Sequence, residues 1–182
     1  MQKRLFQLKL SLAFMLFVIS SAKSQESAIA VTGGMTEDGS AVLVSYNYNL
    51  KTDDFIQGSV FISFAKDDYL SDVSIPYNDF TVNAGYYKRI IKTKNNFLKI
   101  SLGLGGVFGY ESVNNGDREL ENGALVMSES KFIYGAFLGL DTDIYLSDNF
   151  SVTIKANEYY HHNSDVGQFV PYLGAGIRYF FN

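Results

Sequence analysis

The sequence places two carboxylates, Asp141 and Asp143, two residues apart in the otherwise apolar run FLGLDTDIYL, residues 137–146. Paired carboxylates can exchange protons with a substrate or bind a cation. In a strand, residues i and i+2 share a face, so both acids point away from the neighbouring aliphatic residues. This segment lacks the further oxygen ligands and the loop geometry of a calcium site. We expect the two acids to take part in structural ion pairs and not in a catalytic dyad.

Two other segments resemble catalytic or cofactor motifs. HHNSD, residues 161–165, could supply a base and a nucleophile to a hydrolase or acyltransferase, although adjacent histidines at a strand end are more often exposed loop residues. In LGLGGVFG, residues 102–109, the dinucleotide pattern G-x-G-x-x-G fails because Phe108 holds its last position and the glycines lie inside a strand. The chain has no cysteine, which excludes thiolate metal sites. We expect no catalytic residue, no cofactor and no metal.

Period-two alternation dominates the chain from residue 41 onward, which is typical of half-buried β-strands. In LKISLGLGGVFGYE, residues 98–111, leucines and aromatics hold one face, and mostly Gly, Ser and Lys hold the other. No segment after residue 25 has helical periodicity. The alternation predicts eight strands, near residues 27–35, 41–50, 55–65, 78–91, 97–112, 131–146, 150–161 and 169–181.

The connectors between these strands differ in length in a regular way. KTDD, KTKNN and SDN are short turn sequences, whereas KDDYLSDVSIPY, residues 66–77, and the segment 112–130 are long and HHNSDVGQ is of intermediate length. Only TEDGS, residues 36–40, is short where the pattern predicts a long loop. Short periplasmic turns and long extracellular loops are typical of outer-membrane barrels. The sequence therefore predicts an all-β fold, an eight-stranded antiparallel transmembrane outer-membrane β-barrel.

The composition of the two strand faces indicates which one is inside. A soluble lipocalin-like barrel would turn the aliphatic face inward and the polar face to water. Here the polar faces are mostly Gly, Ser, Thr and Asn, as a narrow lumen needs, and aromatics collect near strand ends on the apolar face, as in membrane-interface girdles. We therefore expect Asp141 and Asp143 to face a polar lumen. Their candidate partners share that face: Lys155, which the turn 147–149 places opposite Asp141, and Lys99, Arg89 and Arg178.

The first 24 residues have the charged, apolar and small-residue regions of a secretory signal peptide. The apolar run is about 11 residues, whereas a spanning helix needs roughly 20. We expect a signal peptide at 1–24 and a barrel at 25–182, exported to the cell outer membrane, where lipid surrounds it. Cleavage would leave 11 Lys and Arg against 19 acids, a formal balance of −8, so no direct nucleic-acid binding is expected.

The chain ends in GAGIRYFFN, in which a glycine is followed by alternating hydrophobic residues. Gly176, Tyr179 and Phe181 resemble the terminal strand signature that barrel insertion machinery recognises. Asn182 after the last aromatic is a small departure from the usual terminal Phe.

The longest connector, residues 112–130, is a candidate partner-recognition loop. It combines the charged residues Asp117, Arg118, Glu119 and Glu121 with an apolar tail, residues 124–127, that includes Leu125. Two arrangements are open at this point. The apolar tail folds back over the barrel mouth as a lid, or it docks on another protein.

Four segments together resemble the conjugal transfer TraO family of Bacteroides-type conjugative transposons: IPYNDFTVNAGYY (75–87), ISLGLGGVFGYES (100–112), NNGDRELENGALV (114–126) and FIYGAFLGLDTDIYLSD (132–148). The resemblance runs from about residue 30 to the C-terminus. It implies a non-enzymatic outer-membrane component of a conjugative, type IV-like DNA transfer apparatus, in contact with other conjugal transfer proteins. The alternatives are a general porin-like or adhesin barrel with no transfer role and, less favoured, a lipid-modifying enzyme.

Overall fold

The computed structural model describes residues 27–50, 53–70, 73–95, 97–118, 120, 125–165 and 167–181. The expected signal peptide lies outside the described residues. The described chain forms eight strands: β1 (Ser27–Met35), β2 (Gly39–Asn49), β3 (Phe55–Leu70), β4 (Val73–Lys92), β5 (Leu98–Val113), β6 (Lys131–Tyr145), β7 (Phe150–His161) and β8 (Phe169–Phe181). A 3-10 turn, Asn114–Gly116, follows β5. No helix in these ranges is long and apolar enough to cross a membrane.

The strands close into a single antiparallel barrel in sequence order. Each strand pairs with the next one, and β8 returns to pair with β1 from Ser27 opposite Phe181 to Met35 opposite Leu173. Closure gives each strand a hydrogen-bonded neighbour on both sides and removes the long exposed edges of an open sheet. The eight-stranded antiparallel barrel predicted from the alternation is confirmed.

The barrel is apolar outside and polar or aromatic inside, the opposite of a soluble barrel. Along β7, inward residues are buried and outward residues are mostly exposed. Across four neighbouring strands the ladder joins Val31, Val44, Val60 and Val82, all of them exposed on the outer surface. Such a continuous apolar belt matches the lipid-facing band of an outer-membrane barrel, so the expected orientation of the two faces is correct.

The predicted long connector between β3 and β4 is wrong, because both strands continue through most of it. β3 extends to Leu70 and β4 starts at Val73, with Asp67 opposite Ile75 in the ladder. Alternation fails as a signal here because a hairpin that rises out of the membrane meets water on its outer face and tolerates charge there. Pro76 precedes the first β4 residue that pairs with β5, so it lies where a proline is tolerated in a sheet.

Inward-facing glycines of β5 make room for aromatic side chains. A Cβ atom on Gly103 would lie 2.3 Å from the ring of Tyr87. Tyr87 in turn stacks on Phe55 with ring centroids 4.8 Å apart. The glycine-rich run 102–109 is therefore lumen packing around buried aromatic rings.

Candidate functional site

A buried ion cluster inside the barrel is formed by side chains of β6, β7 and β8. It contains Asp141 and Asp143, the two aspartates of the apolar run 137–146. Lys155 lies directly opposite Asp141 in the ladder, and its Nζ donates to Asp141 Oδ2 at 2.5 Å and to Gln57 Oε1 at 2.7 Å. Thr153 donates its hydroxyl to Asp141 Oδ1 at 3.1 Å. Both oxygens of the Asp141 carboxylate are thus occupied.

Arg178 of β8 joins the two acids. Its Nη2 donates to Asp141 Oδ2 at 2.7 Å, and its Nη1 donates to Asp143 Oδ2. Ser151 completes the set by donating to Asp143 Oδ1 at 3.0 Å. Two carboxylates face two cations, so the cluster is neutral and its carboxylate oxygens are all satisfied, as a buried ionic network requires.

The cluster lies beside aromatic rings that fill the lumen. Lys155 Nζ is 5.5 Å from the centroid of Tyr87, and the Arg178 guanidinium is 5.7 Å from that of Phe55. Farther along the lumen, Phe61 stacks on Tyr159 at 4.7 Å and meets Tyr172 edge-on at 5.4 Å. These rings and the ion cluster plug the described part of the barrel.

Lys99 and Arg89 also face inward but bond elsewhere. Lys99 lies opposite Asp143 in the ladder, yet its Nζ donates to the Tyr145 hydroxyl at 2.9 Å. Arg89 bonds Asp53 at 3.0 Å in the turn between β2 and β3, beside a register shift in β4. The structure therefore brings together four of the six proposed lumen charges and places these two toward the end of the barrel that carries the short turns.

Asp53 links that end of the barrel to β4. Its carboxylate accepts from Lys92 Nζ at 2.8 Å as well as from Arg89. The hydrogen bond from Lys92, together with the charges of Arg89 and Lys92, holds the pKa of Asp53 below its usual range although partial burial acts in the opposite direction. Asp53 is half-exposed, so solvent screens these ion pairs and they contribute little to stability.

A second polar cluster, which sequence reasoning missed, lies inside the opposite mouth. His161 ends β7 and is fully buried, with Nδ1 3.7 Å from Asp79 Oδ2. The expectation of exposed histidines is therefore wrong for His161, because the alternation of β7 continues to its last residue and turns this side chain inward. Ser164 donates its hydroxyl to Glu111 at 2.5 Å. Neither ring nitrogen of His161 has a hydrogen-bond partner among the described residues, so the Ser–His bond of an activated nucleophile is not formed.

No group of three or more His, Asp and Glu side chains within the described ranges could hold a metal ion. In the ion cluster of β6–β8, each carboxylate oxygen accepts a hydrogen bond from another side chain of the barrel. In the cluster at the opposite mouth, Asp79 lies opposite Glu111 in the ladder, and His161 lies 3.7 Å from Asp79 without a hydrogen bond. The geometry supports structural plugging of a narrow barrel.

Comparison with known proteins identifies the chain's family. Residues 24–181 match the family model described as conjugative transposon protein TraO. The chain belongs to this family. The resemblance inferred from the four sequence segments is thereby confirmed. A comparison with curated proteins gives no significant match.

Solved structures of outer-membrane barrels resemble this TraO-family barrel in fold. A major outer membrane protein from Thermus thermophilus has a TM-score of 0.57 at 14% identity, covering 85% of this chain and 99% of that one. Neisserial surface protein A has a TM-score of 0.55 at 15% identity, with coverage of 85% and 95%. The N-terminal β-barrel domain of Pseudomonas aeruginosa OprF has 0.54 at 13%, with 87% and 98%. At these identities the likeness shows the barrel fold alone.

The predicted partner loop of the TraO-family barrel combines the two arrangements that the sequence left open, because part of its apolar tail packs inward and part faces outward. Val126 is buried and packs with Ala65 and Tyr77 over the barrel mouth. Its neighbours Leu125 and Met127 point outward, with 74% and 91% of their surfaces exposed. Of the described residues of the apolar tail, 125–127, one contributes to a lid and two lie on the surface.

The described charged residues of the loop line a groove. Asp117 and Arg118 are exposed, and Arg118 pairs with Glu129 at 3.3 Å in a solvent-exposed contact of little energetic weight. The groove has a volume of about 620 Å³, and its lining includes Tyr110, Asp117, Arg118 and the segment 125–130. Glu119 and Glu121 lie outside the described residues.

The residues of the proposed insertion signal lie on β8 close to the closing seam with β1. Tyr179 points outward, 5.0 Å from the ring of Phe150 and 5.3 Å from that of Phe181. Gly176 lies opposite Thr32 of β1, where a Cβ atom would collide with the Val31 backbone. The aromatic rings cluster at the end of the barrel that carries the short turns. Asn182 is outside the described residues.

Proposed function

We propose that this barrel is a non-enzymatic outer-membrane component of a conjugative, type IV-like DNA transfer apparatus, and that it acts through contacts with other transfer proteins. The family match over residues 24–181 carries this proposal. The plugged lumen supports a role in anchoring or docking, since the stacked Phe61 and Tyr159 and the Asp141–Arg178 ion pair occupy the space that a DNA strand would need. An acidic chain is also a poor electrostatic partner for phosphate.

We propose a route to the membrane from residues 1–24 and from the last strand, β8. The proposed signal peptide, residues 1–24, directs export, and residues 25–182 then reach the outer membrane. The insertion machinery would recognise Gly176, Tyr179 and Phe181 on β8. Insertion by that route leaves the short turns periplasmic and the partner loop outside the cell.

A labelling experiment tests this orientation, and the absence of cysteine from the chain makes single-cysteine variants direct to interpret. Asp117→Cys lies in the exposed partner loop and Lys94→Cys in the exposed turn between β4 and β5. On intact cells an impermeant thiol reagent should label the first variant and spare the second, and both should react after lysis. The reverse pattern would invert the topology.

The role in transfer is tested by deleting the gene and returning it as variants. Deletion should abolish conjugal transfer, and the unaltered gene should restore it. Leu125→Asp should fail to restore transfer although the barrel still folds, because Leu125 is exposed and its charge would disturb only a docked partner. Heat-resistant migration on gels would measure folding.

Val126→Asp is the matched control from the same loop. Its side chain is the buried residue of the lid, so the new carboxylate should lower barrel stability by more than the roughly 1–3 kcal/mol that an unpaired neutral polar group costs. If the deletion strain transfers the element normally, a general porin-like or adhesin barrel with no transfer role becomes the better explanation. Normal transfer by Leu125→Asp in a strain that depends on the gene would show that the exposed apolar tail recognises nothing.

A further inference from the structure

One carboxylate of the barrel faces lipid. Glu158 continues the outward row of β7, two residues below Tyr160, and its ladder neighbours are Leu138 of β6 and Pro171 of β8. Tyr160 belongs to an outward aromatic group with Phe169, whose ring centroid is 5.2 Å away. Glu158 therefore lies on the membrane side of an aromatic girdle, where an unpaired charge is unfavourable.

Glu158 has no hydrogen-bond or ion-pair partner among the described residues. Among the residues whose side chains the structure describes, two others with a charge stand at outward strand positions, and both lie near the margins. Lys66 is above the first residue of β2, and Lys88 is below the first residue of β3. A carboxylate that lies within the apolar band and has no partner among the described residues is expected to pair with a cation of another molecule.

A groove in the outer wall leads to this carboxylate. It has a volume of about 640 Å³, and its walls are mainly the apolar side chains Met35, Leu138, Leu140 and Leu173. Ala156 forms a low floor between Leu140 and Leu173, its ladder neighbours. Glu37, in the turn between β1 and β2, adds a second carboxylate at the rim.

We propose that this groove is a lateral docking site for an apolar, membrane-inserted segment of a different protein that carries a lysine or arginine, whose cation pairs with Glu158. The proposal rests on the proposed function in that the segment belongs to another transfer component. Charge complementarity identifies the occupant. The groove lining contains two acids and no base, and a buried charge in a membrane is stabilised by pairing with its opposite.

Two other occupants fit less well. A second copy of this chain, related by two-fold symmetry, would bring Glu158 and Glu37 against the same residues of its partner, with like charges facing each other. A lipid places its anionic phosphate near the interface, where both carboxylates would repel it.

Pro171 indicates how the partner is held. Pairing of β8 with β1 ends at Leu173, so the part of β8 that contains Pro171 has no β1 neighbour. Proline cannot donate a ladder hydrogen bond there, which disfavours addition of a partner strand to this edge. The segment would therefore dock by side-chain contacts in the groove.

Variants of Glu158 test the proposal against a purely structural role. Glu158→Leu removes the charge from the lipid face, so the purified barrel should be at least as resistant to heat and urea as the unaltered protein. In cells that depend on the gene, it should lower transfer on the order of tenfold or more, as expected when one partner of a desolvated charge pair is lost. Glu158→Asp should transfer close to normally. Normal transfer by Glu158→Leu, where deletion abolishes transfer, would overturn the groove while leaving the proposed function intact.

Crosslinking identifies the occupant independently of transfer. A photoreactive amino acid at position 156, in intact cells that carry the mobile element, should give a protein adduct that is lost when Glu158→Leu is added and is absent from cells making the barrel alone. The matched control is position 82, an exposed lipid-facing site on β4, which should give no such adduct. An adduct of two copies of this chain, lipid adducts only, or an adduct that survives Glu158→Leu would each overturn the proposal. The adduct in a strain whose transfer does not require the gene would support the groove and refute the transfer role.

Discussion

Replacing Arg178 with methionine should lower the free energy of unfolding by about 3–5 kcal/mol, the range for removing one partner of a buried ion pair. The variant keeps most of the side-chain length but leaves Asp141 and Asp143 facing Lys155 alone. The cluster would then carry a net negative charge in a fully buried site. Urea titration of the barrel in lipid vesicles, followed by gel migration without heating, measures the loss.

Two controls separate the missing charge from the missing bulk. Lys99→Met makes the same kind of change at an inward, partly exposed lysine that bonds the Tyr145 hydroxyl, and it should cost about 1 kcal/mol. Adding Asp143→Asn to Arg178→Met restores charge balance and should recover part of the stability, a coupling that a double-mutant cycle measures. Equal losses for Arg178→Met and Lys99→Met would show that the lumen tolerates unpaired carboxylates.

Local sequence is sufficient to predict one half of this cluster. The turn 147–149 sets the register of the β6–β7 hairpin, because a short turn fixes which residues face each other. Lys155 is opposite Asp141 in the observed ladder. Alternation likewise assigns both side chains to one face, so this pair is encoded within 15 consecutive residues, Asp141 to Lys155.

The other half of the cluster depends on two consecutive hairpins. Arg178 of β8 lies 37 residues from Asp141 of β6 in sequence, and its side chain reaches Asp141 past the intervening strand β7. The odd or even position of a residue in a strand predicts which face its side chain is on. It does not predict in which direction a long side chain extends along the lumen. Lys99 shows the difference, since it lies opposite Asp143 and still bonds Tyr145. The register shift between Arg89 and Ile91 further displaces Arg89 from the expected network.

Strand alternation did not predict the outer part of the β3–β4 hairpin or a role for Glu158. The sequence of segment 66–77 does not alternate regularly between polar and apolar residues, so alternation does not detect its strands, which pair Asp68 with Ser74. Glu158 had a detectable signal, because it continues the even-numbered outward row of β7 after Ala156. An acid on the predicted lipid face is an exception to the pattern, and its functional interpretation needed the groove beside it.

The lipid face itself is tested most directly at Val44, in the belt that runs from Val31 to Val82. Val44→Arg should lower the free energy of unfolding by about 2–4 kcal/mol, the cost of a cation near mid-membrane on an outer-membrane barrel. Val44 is exposed on the outer surface and lies between Val31 and Val60 in the ladder, with apolar neighbours on both sides. Unfolding in urea from lipid vesicles measures the change.

The neighbouring residue and a conservative change at the same site provide the controls for Val44→Arg. Ser45, one residue along β2, is buried in the lumen, and its hydroxyl has no hydrogen-bond partner among the described residues. Ser45→Ala should therefore be tolerated, since it removes an unsatisfied polar group. Val44→Leu should also be tolerated, because hydrocarbon accepts the larger aliphatic side chain. A Val44→Arg barrel as stable as Val44→Leu would mean that water, not lipid, covers this belt.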